Sequence, residues 1–247
     1  MRLIISPAKK MNVVDGLPWE GMPCYLDQTE RLLASLRSQS YDELRALWRC
    51  SDALAALNYE RVQTMDLTAQ LTPAVLAYEG IQYQSMAPSV MTDDELAYLA
   101  EHLRILSGFY GVLRPFDGVV PYRLEMQAKL AVDGARDLYE FWGSRLYDSI
   151  AGGGTRLLVN LASVEYARAV MPYGAPPVRL VTCLFGTERA GKLVQKATEA
   201  KAARGSFVRW CAEQRIDDAA GLEYFDAMGF GLNRALSRGD TLVFTRA

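Results

Sequence analysis

Histidine and clustered cysteine are the first things this 247-residue sequence lacks. It has one histidine, His102, and four cysteines, Cys24, Cys50, Cys183 and Cys211, with no C-x-x-C spacing among them. Zinc and iron–sulfur centres need grouped His, Cys or carboxylate ligands, so no metal and no cofactor is expected. A Ser-His-Asp triad would have to use His102, and nothing near it completes one. Thiols this dispersed read as reduced, mostly buried side chains in a reducing compartment. No run of about 18 apolar residues is present, and the N-terminus has no signal-peptide core, so the expectation is a cytoplasmic protein with no membrane partner. A strong charge of one sign is missing too: 27 Lys and Arg against 29 Asp and Glu leave −2. Nothing in that total advertises a nucleic-acid binder, so any anion site must be a local patch.

Half of the residues are hydrophobic, enough for one large core. Arg2 to Ile5 reads as a short buried strand that runs into Ser6-Pro-Ala-Lys9-Lys10, placing hydroxyl and ammonium groups at a sheet end. Residues 25–72 have helical periodicity: Leu32, Leu33 and Leu36 share a face, then Leu44 and Leu47, then Leu54, Leu57 and Val62. Ser40 with Glu43 and Thr92 with Glu95 form capping boxes. Thr72-Pro73 reads as an N-cap and Pro at N1, opening a short helix that stops at Gly80. His102 reads as a surface histidine near a helix C-terminus. Residues 137–150 pattern as one amphipathic helix ended by Gly152-Gly-Gly154, and residues 156–161 (RLLVNL) as the central buried strand. A helix over 163–170, a strand over 178–185, a hairpin turn over 186–191, a basic helix over 197–215 interrupted by Gly205, and a strand over 241–246 complete the pattern. The expected fold is a single α/β domain (mixed α+β) over residues 1–247, a central sheet surrounded by helices and not doubly wound.

Some motifs dissolve on inspection. GTERAGKL at 186–193 misses the phosphate-loop pattern, because Leu193 has no hydroxyl for Mg²⁺ and Glu188 would repel phosphate. Others do not. Residues 103–126 carry Arg104, Arg114 and Arg123 among Gly, Pro and Tyr. Ser107-Gly108-Phe-Tyr110-Gly111 follows a capped helix and resembles a helix-hairpin-helix element, in which hairpin amides hold a phosphate, though two residues rather than one separate the glycines. Asn160, Ser163 and Glu165 stand where the central strand opens into a helix, whose N–H groups would face the sheet edge. Residues 195–215 hold Lys196, Lys201, Arg204, Arg209 and Arg215 against Glu199 and Glu213. Lys201 and Arg204 share a helix face there, and Gly205 allows another backbone or a ligand to come close.

LIISPAK at 3–9, LSGFYGVLRPFD at 106–117, PYRLEM at 121–126, LYEFWG at 138–143, NLASVEY at 160–166 and ARG at 203–205 occur in this order. Together they resemble the YaaA family of bacterial peroxide-stress resistance proteins across nearly the whole chain. The resemblance implies an unusual α/β domain with a helix-hairpin-helix-like element and a positively charged cleft. It also implies DNA binding, with protection against peroxide by lowering free intracellular iron. Two departures are small. Lys10-Met11-Asn12 stands where the family commonly has Thr-Leu-Asp, which makes the loop more basic and removes a carboxylate. Phe109 stands where Leu is frequent.

The expected partner is DNA, duplex or locally unpaired, with a monomer favoured. Lys9, Lys10, Arg114, Arg123, Lys201 and Arg204 would neutralise phosphates, the Gly108–Gly111 amides would hold one more, and Tyr110 and Tyr122 would stack on an unpaired base. Ser6, Ser107, Asn160, Ser163 and Gly205 complete the anion-binding set. The competing expectation is an enzyme acting on a nucleotide or nucleobase, with Lys9, Glu125 and Glu165 as acid/base candidates beside Asn160 and Ser163. It requires Glu125 and Glu165 to face one pocket. Direct iron sequestration by the two glutamates is a third reading that the ligand inventory opposes.

Overall fold

A computed structural model describes residues 1–14 and 18–246. Eight strands form the main sheet: β1 (Arg2–Ile5), β2 (Leu103–Ser107), β3 (Gly111–Leu113), β4 (Leu157–Asn160), β5 (Arg179–Arg189), β6 (Lys192–Val194), β7 (Gly231–Leu232) and β8 (Thr241–Arg246). Their order is β7-β8-β5-β4-β1-β2-β3, with β6 folded back on β5. The run from β8 through β5, β4 and β1 to β2 is parallel, while β3, β6 and β7 add antiparallel strands. Central parallel strands are covered on both faces, which is why RLII and LLVN are nearly all apolar and buried.

Ten α-helices lie among the described residues: α1 (Leu26–Arg37), α2 (Tyr41–Trp48), α3 (Asp52–Thr64), α4 (Ala74–Ala77), α5 (Ile81–Met86), α6 (Asp93–His102), α7 (Leu138–Trp142), α8 (Arg145–Ala151), α9 (Val164–Ala167) and α10 (Ala197–Glu213). The architecture is thus mixed α/β, as expected. Both capping boxes form, at Ser40 on α2 and Thr92 on α6. No described helix is long and apolar enough to cross a membrane.

Several local expectations need correction. In α3 the buried stripe is Ala55, Asn58 and Val62, whereas Leu54 and Leu57 are exposed. Thr72-Pro73 is a two-residue strand paired with Gly118–Val119 rather than a helix start, and α4 ends at Ala77. Residues 137–150 divide into α7 and α8 at Gly143, whose φ of 52° leaves the helical region. The strand at 179 continues to Arg189, beyond Gly186, before a tight turn into β6. Asp217 or Asp218 reads as the cap of a helix up to about Phe225, but the chain there holds only a short 3₁₀ turn, Gly221–Tyr224, whose Gly221 N–H bonds to Asp218 Oδ1 at 2.7 Å. His102 is buried, not on the surface: its Nδ1 lies 2.9 Å from the Met1 carbonyl and its ring packs on Tyr98.

The helix-hairpin-helix expectation is replaced by a β-hairpin. After α6 the chain enters β2 directly and turns into β3. Ser107 Oγ takes the hairpin N–H groups of Phe109 and Tyr110 at 3.1 and 2.8 Å. Two of the amides expected to hold a phosphate, those of Phe109 and Tyr110, are therefore already occupied.

The long helix α10 is continuous through Gly205. Phe207 and Trp210 lock it into an aromatic cluster with Phe185, Phe225 and Phe244. On its other side it packs closely on α5. A Cβ at Gly205 would sit 1.9 Å from the Gln82 carbonyl oxygen, so only glycine permits this approach.

Candidate functional site

Parallel strands end together, and the loops that follow them converge. Ser6 to Lys10 leaves β1, and Ser163 and Glu165 follow β4. At this end of the sheet lies a cavity of about 500 Å³, which also receives residues 122–125, the start of α5 and the outward face of α10. A cavity of this size falls in the small-molecule range. Lys9, Lys10, Arg123, Lys201 and Arg204 line it, opposed by Glu79, Glu125 and Glu165. The local excess of cations exists in a chain whose total charge is −2.

Each cation is placed differently. Lys9 reaches Glu125 Oε1 at 2.9 Å, and Arg123 reaches the same oxygen at 3.2 Å. Lys10 pairs with Glu79 at 2.7 Å, and that bond holds the Glu79 carboxyl below its usual range. The lysine ends of these pairs are about two-thirds exposed, so the pairs are weak and a phosphate can compete for them. Lys201 is exposed on the rim, while Arg204, one turn further along α10, is half-buried. Burial pulls the Arg204 pKa down, and no carboxylate offsets it.

The carboxylates form a second group. Glu165 accepts the Gln127 N–H at 3.1 Å, yet burial raises its carboxyl above the usual range, with the nearby Glu125 charge adding to the rise. Glu125 and Glu165 thus share one cavity with Lys9 between exposed and buried space, rather than facing opposite sides. Lys9 and Glu125 also border an adjoining cavity of about 640 Å³ that contains Trp48, Gln39 and Lys129. Among the described residues, no three His, Cys, Asp or Glu side chains gather as a metal site.

Tyr83, Tyr122 and Tyr166 supply aromatic surface. The Tyr83 hydroxyl donates to the Ser6 carbonyl at 3.0 Å. The Tyr122 hydroxyl lies 2.6 Å from Ser107 Oγ and 2.8 Å from the Tyr78 hydroxyl, and its burial pushes its pKa up to about 12. Ser6 Oγ accepts the Ser163 N–H at 2.8 Å and meets Ser163 Oγ at 3.2 Å. Ser163 stands at the N-cap of α9 without a side-chain capping bond. The two serines tie the β1 and β4 loops together.

Ser6, Lys9, Lys10, Tyr122, Arg123, Glu125, Ser163, Glu165, Lys201 and Arg204 therefore meet in one place. Other expected site residues do not. Tyr110 is fully buried and its hydroxyl accepts the Val120 N–H at 3.2 Å, so it cannot stack on a base. Ser107 is buried under Tyr122. Gly108 is pressed against the Leu124 carbonyl, and Gly111, with φ of 74°, against Trp142. Asn160 is explained by architecture: Oδ1 accepts the Ala162 N–H at 3.0 Å and Nδ2 reaches Thr182 at 3.4 Å, closing the strand end. Gly205 acts through packing on α5. Arg114 lies in another cavity with Arg2 and Arg104, at the opposite end of β1 and β2. Gln82, Tyr83, Glu79 and Tyr166 enter the site unforeseen. Gly205 carried the one available signal, since its close approach had to be to something, and that partner is the α5 turn bearing Gln82.

A family profile described as "Peroxide stress protein YaaA" matches residues 1–236. Curated relatives span the full chain. A UPF0246 protein of Pediococcus pentosaceus is 51% identical over 247 residues, covering 100% of this chain and 98% of its own. A UPF0246 protein of Lachnoclostridium phytofermentans is 49% identical over 247 residues, with 100% and 96% covered. One from Lactiplantibacillus plantarum is 50% identical over 245 residues, with 99% and 98% covered.

Proposed function

The chain belongs to the peroxide stress protein YaaA family, and from that premise we propose that it binds DNA through the cationic cavity at the end of the central sheet. The observation that carries this reading is the convergence of Lys9, Lys10, Arg123, Lys201 and Arg204 at one opening. The exposed lysines suit phosphates of a backbone running along the rim. The cavity is too narrow for a duplex, so the reading extends to locally unpaired DNA, with one nucleotide entering. Such a partner places the working compartment in the cytoplasm, and one monomer presents a complete cavity. The reading includes a lowering of free intracellular iron that is indirect rather than by metal ligation.

The test is the salt dependence of binding to duplex and bubble DNA. Each neutralised phosphate contributes a slope of about −0.9 for duplex and about −0.7 for single strands in log K against log salt. A flat plot overturns the reading. For iron, free intracellular iron should rise in cells carrying a Lys201→Glu, Arg204→Glu variant in place of the wild type; equal levels break the link.

One feature favours a second reading, an enzyme acting on a nucleotide or nucleobase. Glu165, with its raised pKa, shares the cavity with the Lys9–Glu125 pair, an arrangement suited to general acid/base work. Chromatography of nucleotides and bubble DNA after incubation should then reveal a new product, abolished by Glu165→Gln. No product at stoichiometric protein removes this reading.

A further inference from the structure

Arg204 differs from the other buried cation of the cavity in having nothing to answer its charge. Arg123 has Glu125 at 3.2 Å and the Trp48 carbonyl at 3.5 Å. Arg204 has no ion pair among the described residues, its Nε is buried without a hydrogen-bond partner, and burial is the sole influence on its pKa. A guanidinium drawn out of water without an anion is unfavourable, and folded proteins rarely leave one so.

Arg204 is not isolated in this respect. Four buried side-chain atoms lack a partner among the described residues: Gln82 Nε2, Arg123 Nε, Arg204 Nε and Trp48 Nε1. The first three belong to residues of this cavity, and Trp48 belongs to the cavity on the far side of Lys9 and Glu125. Gln82 is 7% exposed and the Arg123 side chain 10%. Every one of the four is a donor. Buried polar groups are normally satisfied, so such a cluster is unusual, and its uniform sign matches a ligand rich in acceptors, which would engage Arg204 through the guanidinium nitrogens that are not closed off. The arrangement is also fixed. Gly205 seats α10 against the Gln82 carbonyl, so Gln82 and Arg204 are carried side by side on two packed helices rather than on a mobile loop.

The rest of the wall has a different character. The Tyr83 and Tyr122 hydroxyls are already bonded to Ser6, Ser107 and Tyr78. Tyr83 is 4% and Tyr122 7% exposed, so these residues give the cavity a narrow strip of ring surface against which a flat group can rest. Glu125 and Glu165 line the same cavity, able to accept from amino groups at the edge of such a ring. A cation for an oxygen-rich anion, an aromatic wall for a flat ring, and a volume of about 500 Å³ together describe one ligand class.

We infer that the cavity binds a single nucleotide, its phosphate held by Arg204 and its base set against the tyrosine-lined wall. The same chemistry is offered by a free nucleoside monophosphate and by a nucleotide displaced from a DNA strand. Only the second source rests on the DNA-binding reading.

The experiment titrates the full-length protein calorimetrically with dAMP, dTMP, deoxyadenosine and inorganic phosphate. In parallel it titrates bubble DNA carrying 2-aminopurine at an unpaired position, followed by fluorescence and repeated across salt concentrations. Arg204→Gln and the conservative Arg204→Lys are compared with wild type after urea unfolding confirms that they fold. For a free-nucleotide source, dAMP and dTMP bind at least about tenfold more tightly than deoxyadenosine or phosphate. Arg204→Gln then loses about tenfold or more, and Arg204→Lys regains part of it. For a strand source, mononucleotides bind weakly, but the 2-aminopurine signal changes on binding and does so less in Arg204→Gln. Salt-dependent DNA binding with no mononucleotide binding and no 2-aminopurine response overturns the inference and leaves the DNA reading standing. Mononucleotide binding without DNA binding does the reverse. Equal affinity for dAMP, deoxyadenosine and phosphate, or an Arg204→Gln variant equal to wild type in both assays, overturns the inference.

Discussion

At the end of the central sheet where β1 and β2 begin, Arg2, Arg104 and Arg114 gather around a cavity of about 260 Å³; at the end where β1 and β4 finish, Arg123 and Arg204 line the larger one. By count of arginines the first end looks the better anion site. The guanidiniums of Arg2 and Arg104, however, are engaged, and Arg114 is exposed to solvent. Arg104 Nη1 bonds to the carbonyls of Leu103, Glu101 and Ala100 at 2.6, 3.2 and 3.3 Å, and Arg2 Nη1 to Glu101 at 2.5 Å. These include the carbonyls that the last turn of α6 leaves without helical partners, so the guanidinium groups finish that helix. Asp117 takes the backbone N–H of Arg114 at 2.8 Å, which fixes the loop rather than the Arg114 guanidinium. At the other end Arg204 has no comparable partner. Charge density alone does not separate architecture from recognition; whether the donors are already bonded does.

The largest expected effect probes the seat of the recognition end. Gly205→Val would drive its side chain into the Gln82 carbonyl and should cost more than about 3 kcal/mol in urea unfolding, with loss of ligand binding. Wild-type stability would mean that α5 and α10 do not meet so closely.

Asp117 probes the dryness of the opposite end. Burial raises its pKa to about 6, against the pull of Arg114 and Arg104. Its folded pKa lies above the unfolded value near 3.9, so the folded state favours the protonated acid. Ionisation therefore costs stability, increasingly as pH rises from about 4 to about 6 and fully above that. Asp117→Asn should be more stable than wild type at pH 7.5, by up to about 3 kcal/mol, with the difference shrinking toward zero by pH 4. A pH-independent difference would show that folding does not shift the Asp117 carboxyl.

Paired substitutions sharpen the contrast itself. Arg104→Gln should lower stability by about 1–2 kcal/mol and leave nucleotide affinity unchanged, because its bonds are structural. Arg204→Gln should leave stability equal or slightly higher, since it removes an unanswered buried charge, and should weaken nucleotide binding. Thermal unfolding with calorimetric titration checks both, and the reverse pattern would exchange the roles of the two ends. The smallest effect belongs to the rim: Lys201→Gln should reduce the DNA salt slope by about 1 while weakening binding only a few-fold.

Much of this was legible in the sequence, for identifiable reasons. The Leu157–Asn160 strand, the capping boxes and the closing strand carry local signals strong enough to survive tertiary context. Ser6, Lys9 and Glu165 were legible as polar residues following apolar strands, and Arg204 as sharing a basic helix face with Lys201. Gly108 and Tyr110 misled because the glycines serve close packing against Leu124 and Trp142, a tertiary cause that spacing does not encode. Arg114 and Arg123, nine positions apart, read in sequence as one patch, but the hairpin and the loop after it deliver them to opposite ends of the sheet. Gln82 gave no sign at all, since its role depends on which helix Gly205 lets in.

The most direct measurement is an amide NMR titration of the uniformly labelled protein with dTMP and, separately, with bubble DNA. The account predicts shifts centred on Gln82, Arg123, Ser163, Glu165 and Arg204, with Arg2, Arg104 and Arg114 unmoved. Shifts centred on Arg104 and Arg114 with the larger cavity silent would contradict it.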